Sequence, residues 1–360
     1  MPCYYILIFA MTALLSVIFT ILIKHLAVRF NIIDKPTLAR KIHKIDTPLL
    51  GGIAIFLAFF IVLYFARNKL LAGDLEPRHW YGFFIGACFI IIGGFLDDKY
   101  DLKPKHQIIW PMLAIVSVII GGIGIEKITN PFGGLIYLDQ WKIPLIEYGN
   151  GMHYFILITD SFTIFWLLGM MFTTKLLDGI DGLVTGVTAI GGFIIFLFTM
   201  TTKYYQPDIG LAALILTAAC LGFLIFNWHP AKIFLGQGGS LLLGYILGVL
   251  AIISGGKIAI ALLVMGIPIM DVAWTIIRRI LAGKNPFKFA DKKHLHFRFL
   301  DLGLSQRQTA LIYYFFAAIF GASALFLQSR NKMLALAILI IIMLFTVIGF
   351  TYLDKKKKII

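Results

Sequence analysis

Residues 209–254 read IGLAALILTAACLGFLIFNWHPAKIFLGQGGSLLLGYILGVLAIIS. The apolar run over 209–226 comes close to the roughly 20 residues that a helix needs to cross a bilayer core. A second apolar run follows over 240–254, and the turn between them holds Asn227, His229, Lys232 and three glycines, Gly236, Gly238 and Gly239. Neither run carries the polar stripe of a soluble amphipathic helix, so lipid or other apolar helices must surround both.

The same pattern recurs outward in both directions, at 4–26, 49–66, 81–96, 107–125, 154–174, 183–201, 257–277, 309–328 and 332–353. Composition agrees: 60% hydrophobic and 14% charged residues, with a mean hydropathy of +0.91, cannot solvate the surface of a water-soluble domain. The expectation is an all-α polytopic membrane protein of about 10–11 transmembrane helices. It is read as a single integral membrane domain over 1–360, with no room for a soluble one. The Gly- and Pro-bearing GIPIM at 266–270 has the pattern of a broken or re-entrant helix. The first run lacks a basic start and a small-residue cleavage pattern, so it reads as a retained anchor. Cys3, Cys88 and Cys220 lie in or beside apolar runs and read as small core hydrophobes.

Charge orients the chain. With the amino terminus outside, most of the 32 lysines and arginines fall on one side, in the 24–44 segment, the 97–107 loop, Lys175, Lys232, the 278–308 loop and the 355–358 tail. Positive loops stay in the cytoplasm, which places the carboxyl terminus there too. The net charge of +14 is then largely a topology signal, with some attraction to anionic lipid. A basic soluble module with aromatic readers is missing, which excludes nucleic-acid binding. Outside connections are short except 126–153, whose alternating pattern around turn residues predicts a small extracytoplasmic β-hairpin.

Five cytoplasmic segments carry residue types that a plain connector does not need. Arg40, Lys41, His43 and Lys44 precede Gly51 and Gly52, cations beside a backbone that a phosphate can approach; a juxtamembrane topology signal gives the same pattern. Asp97 and Asp98 end the third helix with Asp101 one turn on, and adjacent carboxylates at a bilayer edge call for metal, proton or substrate binding. In KLLDGIDGL, Asp178 and Asp181 are three residues apart and share a helical face, with Gly179 and Gly182 leaving room for a ligand. Gly236, Gly238, Gly239 and Ser240 open the eighth helix, whose free N–H groups make an anion site. His294 and His296 stand among Lys292, Lys293 and Arg298, preceded by Asp271, Arg278 and Arg279. Carboxylates and anion sites on one surface of a membrane protein point to a reaction between a soluble phosphate compound and a lipid. The competing reading is a binding protein or transporter on the same scaffold. A transporter predicts internal repeats and ionisable residues near the midplane; no repeat is evident, and Asp160 and Asp271 are the main interior candidates.

Taken in order, RKIHKIDTPLLGG, FLDDKYDL, LLDGIDGL, FNWHPAKIFLGQGGS, IPIMDVAWTIIRR and ADKKHLHFRFLDLG resemble the motifs of the polyprenyl-phosphate N-acetylhexosamine-1-phosphate transferases. The resemblance covers nearly the whole chain, and its last motif is most similar to the teichoic-acid initiating branch, which uses UDP-N-acetylglucosamine. It implies transfer of a sugar-1-phosphate from a UDP-sugar to undecaprenyl phosphate with release of UMP, a Mg²⁺ cofactor, the bacterial plasma membrane as location and a homodimer. Carried over by motif position, Asp97 and Asp98 engage or deprotonate the lipid phosphate, and Asp178 and Asp181 hold the nucleotide end. Asn227 lines that pocket, Phe234 stacks on uracil, and His294 and His296 contact the diphosphate and sugar.

Three positions depart from the family pattern. Gln237 stands where the family has a Mg²⁺-binding aspartate, Lys175 where it has asparagine three residues before Asp178, and Phe297 where it has a third histidine. A neutral amide is a poor ligand for a hard dication. The first two changes together add two positive charges, which equals the charge of one such ion. An ammonium at or beside the metal position, or a catalytically impaired chain, would each follow from this.

Overall fold

The computed structural model describes residues 2–36, 45–71, 75–130, 134–148, 151–201, 205–254, 258–283, 294–327, 331–342, 345 and 349. Helices dominate: α1 (Pro2–Arg29), α2 (Gly51–Phe65), α3 (Arg67–Leu70), α4 (Pro77–Tyr100), α5 (Pro104–Gln107), α6 (Ile109–Ile120), α7 (Leu157–Leu177) and α8 (Leu183–Thr199). They continue with α9 (Pro207–Asn227), α10 (Gly236–Ile253), α11 (Ile258–Val264), α12 (Gly266–Leu281), α13 (Leu295–Asp301), α14 (Gln306–Phe326) and α15 (Asn331–Ile342). The chain is an all-α polytopic membrane protein. Helices α1, α4, α7, α9, α10 and α14 are each long and apolar enough to cross a bilayer, and α11 with α12 makes a further span bent by 79°. That bend falls at the GIPIM stretch, where the sequence signals a break.

The remaining apolar runs hold shorter helices: α2, α5 with α6 as Pro104–Ile120, α8 and α15. Every run expected from the sequence thus contains a helix, and the difference from about eleven full spans lies in length. Apolarity marks burial in lipid or protein without separating the two, and α8 is buried over most of its surface inside the bundle.

The 126–153 segment forms two antiparallel hairpins where one was expected. Strand β3 (Lys127–Thr129) pairs with β4 (Leu135–Tyr137), and β5 (Lys142–Tyr148) with β6 (Gly151–Ile156). Both NPFGG at 130–134 and GNG at 149–151 are turn signals. On the opposite side of the sequence-predicted topology, β1 (Ile33–Asp34) pairs with β2 (Thr47–Pro48) and brackets 35–46.

Helix α10 lies at the centre, buried from Gly238 through Ile252. Its glycines explain this position, because small residues let helix backbones touch. A Cβ on Gly52 would overlap the Gly239 backbone, and one on Gly94 that of Gly238. Further along, Gly244 and Gly248 meet Met170 and Leu167 of α7. Buried polar groups pair across helices: Tyr245 Oη donates to Phe83 O at 2.9 Å, Trp166 Nε1 to Gly248 O at 3.0 Å, and Ser16 Oγ to Ala219 O at 2.6 Å.

Candidate active site

Where α4, α7 and α9 end and α8, α10 and α14 begin, their connecting turns enclose a cavity of ≈ 520 Å³. It is lined by Asp97, Asp98, Asp178, Asp181, Asn227, Phe234 and Gln237, all singled out by the sequence. Asp34, Asp101, Gln107, Gln306 and Phe297 complete most of the wall.

Each acidic residue is held differently. Asp97 Oδ1 accepts from the Leu102 backbone N–H at 2.9 Å and from Gln107 Nε2 at 3.0 Å, which folds the loop after α4 back over its end. Gln107 Nε2 also donates to Leu102 O at 2.8 Å, and its Oε1 accepts from Lys175 Nζ at 3.0 Å. Asp98 Oδ1 accepts from the Gln237 backbone N–H at 3.0 Å, at the amino-terminal end of α10. Helix N-termini favour negative charge, and here a side chain of α4 supplies it. Gly236 makes this approach feasible: its φ of +75° turns the chain into α10, and a Cβ there would overlap the Asp98 carboxylate.

Asp181 Oδ2 accepts from His229 Nδ1 at 2.7 Å and from the Ala231 N–H at 3.0 Å, and its own N–H donates to Gln306 Oε1 at 3.3 Å. Asn227 is equally engaged, donating to Ile233 O at 3.0 Å and accepting from Thr185 Oγ1 at 2.9 Å. This clamp fixes the NWHPAK turn that carries Phe234 onto the wall. Asp178 caps the carboxyl end of α7 and opens onto the cavity. The surrounding protein, with Asp98 and then Asp181 adding repulsion, pushes its carboxyl up to about 7.

His294 and His296 stand behind the wall. His294 Nδ1 pairs with Asp271 Oδ2 at 3.0 Å, and Asp271 Oδ1 accepts from the Leu295 N–H at 3.0 Å. The His296 ring stacks parallel to His294 with centroids 5.8 Å apart and lies against Phe297 at 4.2 Å. A Cβ on Gly179 would strike His296 Nε2, so one missing methyl lets the ring pack directly behind the cavity wall. Among the described residues neither buried His296 ring nitrogen has a hydrogen-bond partner, and burial lowers its pKa to about 3, which keeps it neutral.

Some sequence-derived expectations change in this geometry. Gly51, Gly52, Gly238 and Gly239 serve contacts within the protein: Gly51 sits against Phe223 and Phe234 O, and the others meet one another or Gly94. Ser240 is buried and donates to Gln237 O at 3.1 Å, off the cavity wall. Asp160 accepts a local hydrogen bond from the Ile156 N–H at 2.7 Å, and Asp271 accepts from the Leu295 N–H at the start of α13, so both are engaged within the protein. Arg298 lies on α13 outside the cavity lining. Arg40, Lys41, His43 and Lys293 lie outside the described residues. Asp34, Gln107, His229 and Gln306 are site residues that sequence reasoning missed; the nearest signals were that His229 stands inside FNWHPAKIFLGQGGS and that Gln107 closes the 97–107 loop.

The fold and site define a membrane-embedded protein with an acidic, aromatic-walled cavity at its helix ends. Known proteins give that class its family. A family model described as Glycosyl transferase family 4 matches residues 80–255. The chain is 31% identical over 343 residues to a probable undecaprenyl-phosphate N-acetylglucosaminyl 1-phosphate transferase of Bacillus subtilis, covering 94% of this chain and 88% of that protein. It is 29% identical over 341 residues to a decaprenyl-phosphate N-acetylglucosaminephosphotransferase of Mycobacterium tuberculosis, covering 86% and 80%. A phospho-N-acetylmuramoyl-pentapeptide-transferase of Bacillus pumilus is 29% identical over 298 residues, covering 79% and 86%. The chain belongs to the polyprenyl-phosphate hexosamine-1-phosphate transferase family. A polyprenyl-phosphate acceptor, a nucleotide-sugar donor and a multi-pass membrane location follow from that membership.

Proposed function

We propose that the chain transfers N-acetylglucosamine-1-phosphate from UDP-N-acetylglucosamine to undecaprenyl phosphate, releasing UMP and starting a cell-envelope polysaccharide. An acceptor phosphate oxygen attacks the sugar-bearing phosphorus, the bond to the UMP phosphate breaks, and UMP leaves with the electron pair. Little of this needs covalent help from the protein; positioning and charge do most of the work.

The observation that supports this reading most is the convergence of Asp97, Asp98, Asp178 and Asp181, with Phe234, on one cavity at helix ends. In this reading Phe234 offers an aromatic face to uracil, and Asp181, braced by His229 and Ala231, faces the nucleoside. Asp97 and Asp98 stand at the end of α4, where a lipid phosphate would arrive from the bilayer edge. The distribution of lysine and arginine supports a cytoplasmic cavity, with the amino terminus outside the plasma membrane of a bacterium.

The test is UMP release by the purified protein in detergent, given UDP-N-acetylglucosamine and undecaprenyl phosphate. Lipid-dependent UMP with formation of a lipid diphosphate-sugar is the expected result. Absence of UMP under every ionic condition, from a monodisperse protein that binds UDP, would overturn the reading and favour a binding role.

A further inference from the structure

Six carboxylates line the cavity, from Asp34, Asp97, Asp98, Asp101, Asp178 and Asp181. A diphosphate entering such a place needs positive charge. Family membership implies a magnesium ion, but the donor set does not fit one. Magnesium demands near-octahedral oxygen ligands and takes carboxylates readily. One oxygen of each of Asp97, Asp98 and Asp181 is already engaged by protein donors. Gln237 offers only a neutral amide on the wall. Among the described residues, no three His, Cys, Asp or Glu side chains form a metal-holding set.

One cation is built in. Lys175 reaches from α7 to hydrogen-bond Gln107 at 3.0 Å, and Gln107 gives its amide to Asp97 at 3.0 Å. Asp97 is thus one amide away from the ammonium, and Asp98 is its neighbour at the end of α4. An ammonium there offsets carboxylate charge and repels a dication.

We infer that Lys175 is the resident countercharge of this cavity, positioned by Gln107 beside Asp97 and Asp98, and that the chain binds its nucleoside diphosphate without a divalent metal. The nature of the ligand rests on the transferase reading above. Lys175 lies behind the wall and contributes its charge from there, and Gln107, on the wall, is the positioning residue.

The test uses the full chain in detergent, with UDP as probe and Mn²⁺ as a magnetic stand-in for magnesium. UDP affinity by titration calorimetry is expected to agree within about twofold between chelator and millimolar Mg²⁺, and Mn²⁺ resonance is expected to show no stoichiometric site. Replacing Lys175→Asn together with Gln237→Asp is expected to create one Mn²⁺ site per chain and make UDP affinity fall about tenfold on chelation. Gln237→Asp alone, with the Lys175 ammonium kept, is expected to gain no Mn²⁺ site; a merely structural lysine would let that single variant gain one. One-to-one Mn²⁺ binding by the unmodified chain, or an affinity loss of about tenfold in chelator, overturns the inference. So does a folded double variant that gains no Mn²⁺ site. Should the double variant not fold, the two measurements on the unmodified chain decide alone. UMP formed only with added Mg²⁺ would sink this inference and leave the transferase reading standing. Metal-independent UDP binding without UMP formation would do the reverse.

Discussion

The backbone N–H of Gln237 donates to Asp98 Oδ1 at 3.0 Å, so the amino-terminal end of α10 is occupied by a carboxylate from α4. An incoming phosphate therefore meets a helix end already capped by an acidic side chain. Gly236→Ala should displace Asp98, because the new methyl overlaps its carboxylate and the φ of +75° costs a side-chain-bearing residue about 1–2 kcal/mol. The expected outcome is a loss of UMP release well beyond the modest drop in melting temperature. Rates and melts on the same preparation check it; an active Gly236→Ala protein would remove Asp98 from the site.

Gly52→Ala addresses the other glycines. Its methyl meets the Gly239 backbone, and neither helix can yield without separating. Overpacking of this kind costs about 1–3 kcal/mol. Thermal unfolding in detergent should show a fall of several degrees, with UDP affinity of the folded fraction affected far less than in Gly236→Ala. A large affinity loss without destabilisation would return Gly52 to a ligand-contact role.

Phe234→Ala should raise the KM for the UDP-sugar roughly tenfold, since stacking on a base is worth about 1–3 kcal/mol. Phe234→Tyr keeps the ring and should restore binding. Equal affinity of alanine and tyrosine variants for UDP would place the uracil elsewhere.

Asp178 predicts a pH dependence of stability. Its folded-state value of about 7 lies above the ordinary 3.8, so the folded chain keeps a proton that the unfolded chain has lost. Stability should therefore fall as pH rises from about 4 through 7, then level off. Asp178→Asn should flatten that part of the profile in melts taken between pH 5 and 8. Identical slopes for both proteins would mean that Asp178 titrates as in water.

Much of this architecture is legible before folding because a bilayer tolerates few alternatives: each apolar run became a helix, and GIPIM became the 79° bend. Acidic pairs at helix ends, Asp97 with Asp98 and Asp178 with Asp181, were legible because carboxylates there are costly unless used. Gln107 and Gln306 were not. A glutamine in a polar loop looks like any solvated residue until a distant lysine or backbone amide arrives to use it. Glycines mislead in the opposite sense. Gly52 and Gly239 carry no side chain to say whether a ligand or another backbone comes close, and here it is a backbone.

That backbone-to-backbone seam has a consequence for how this scaffold changes its guest. Where Gly52 meets Gly239 and Gly94 meets Gly238, there are no side chains to trim, so three helices form a wall whose position selection cannot adjust by small steps. Room for a bulkier or slimmer headgroup must come from the rest of the lining, where Phe297 near the start of α13 and Gln306 at the start of α14 present side chains that substitution can resize.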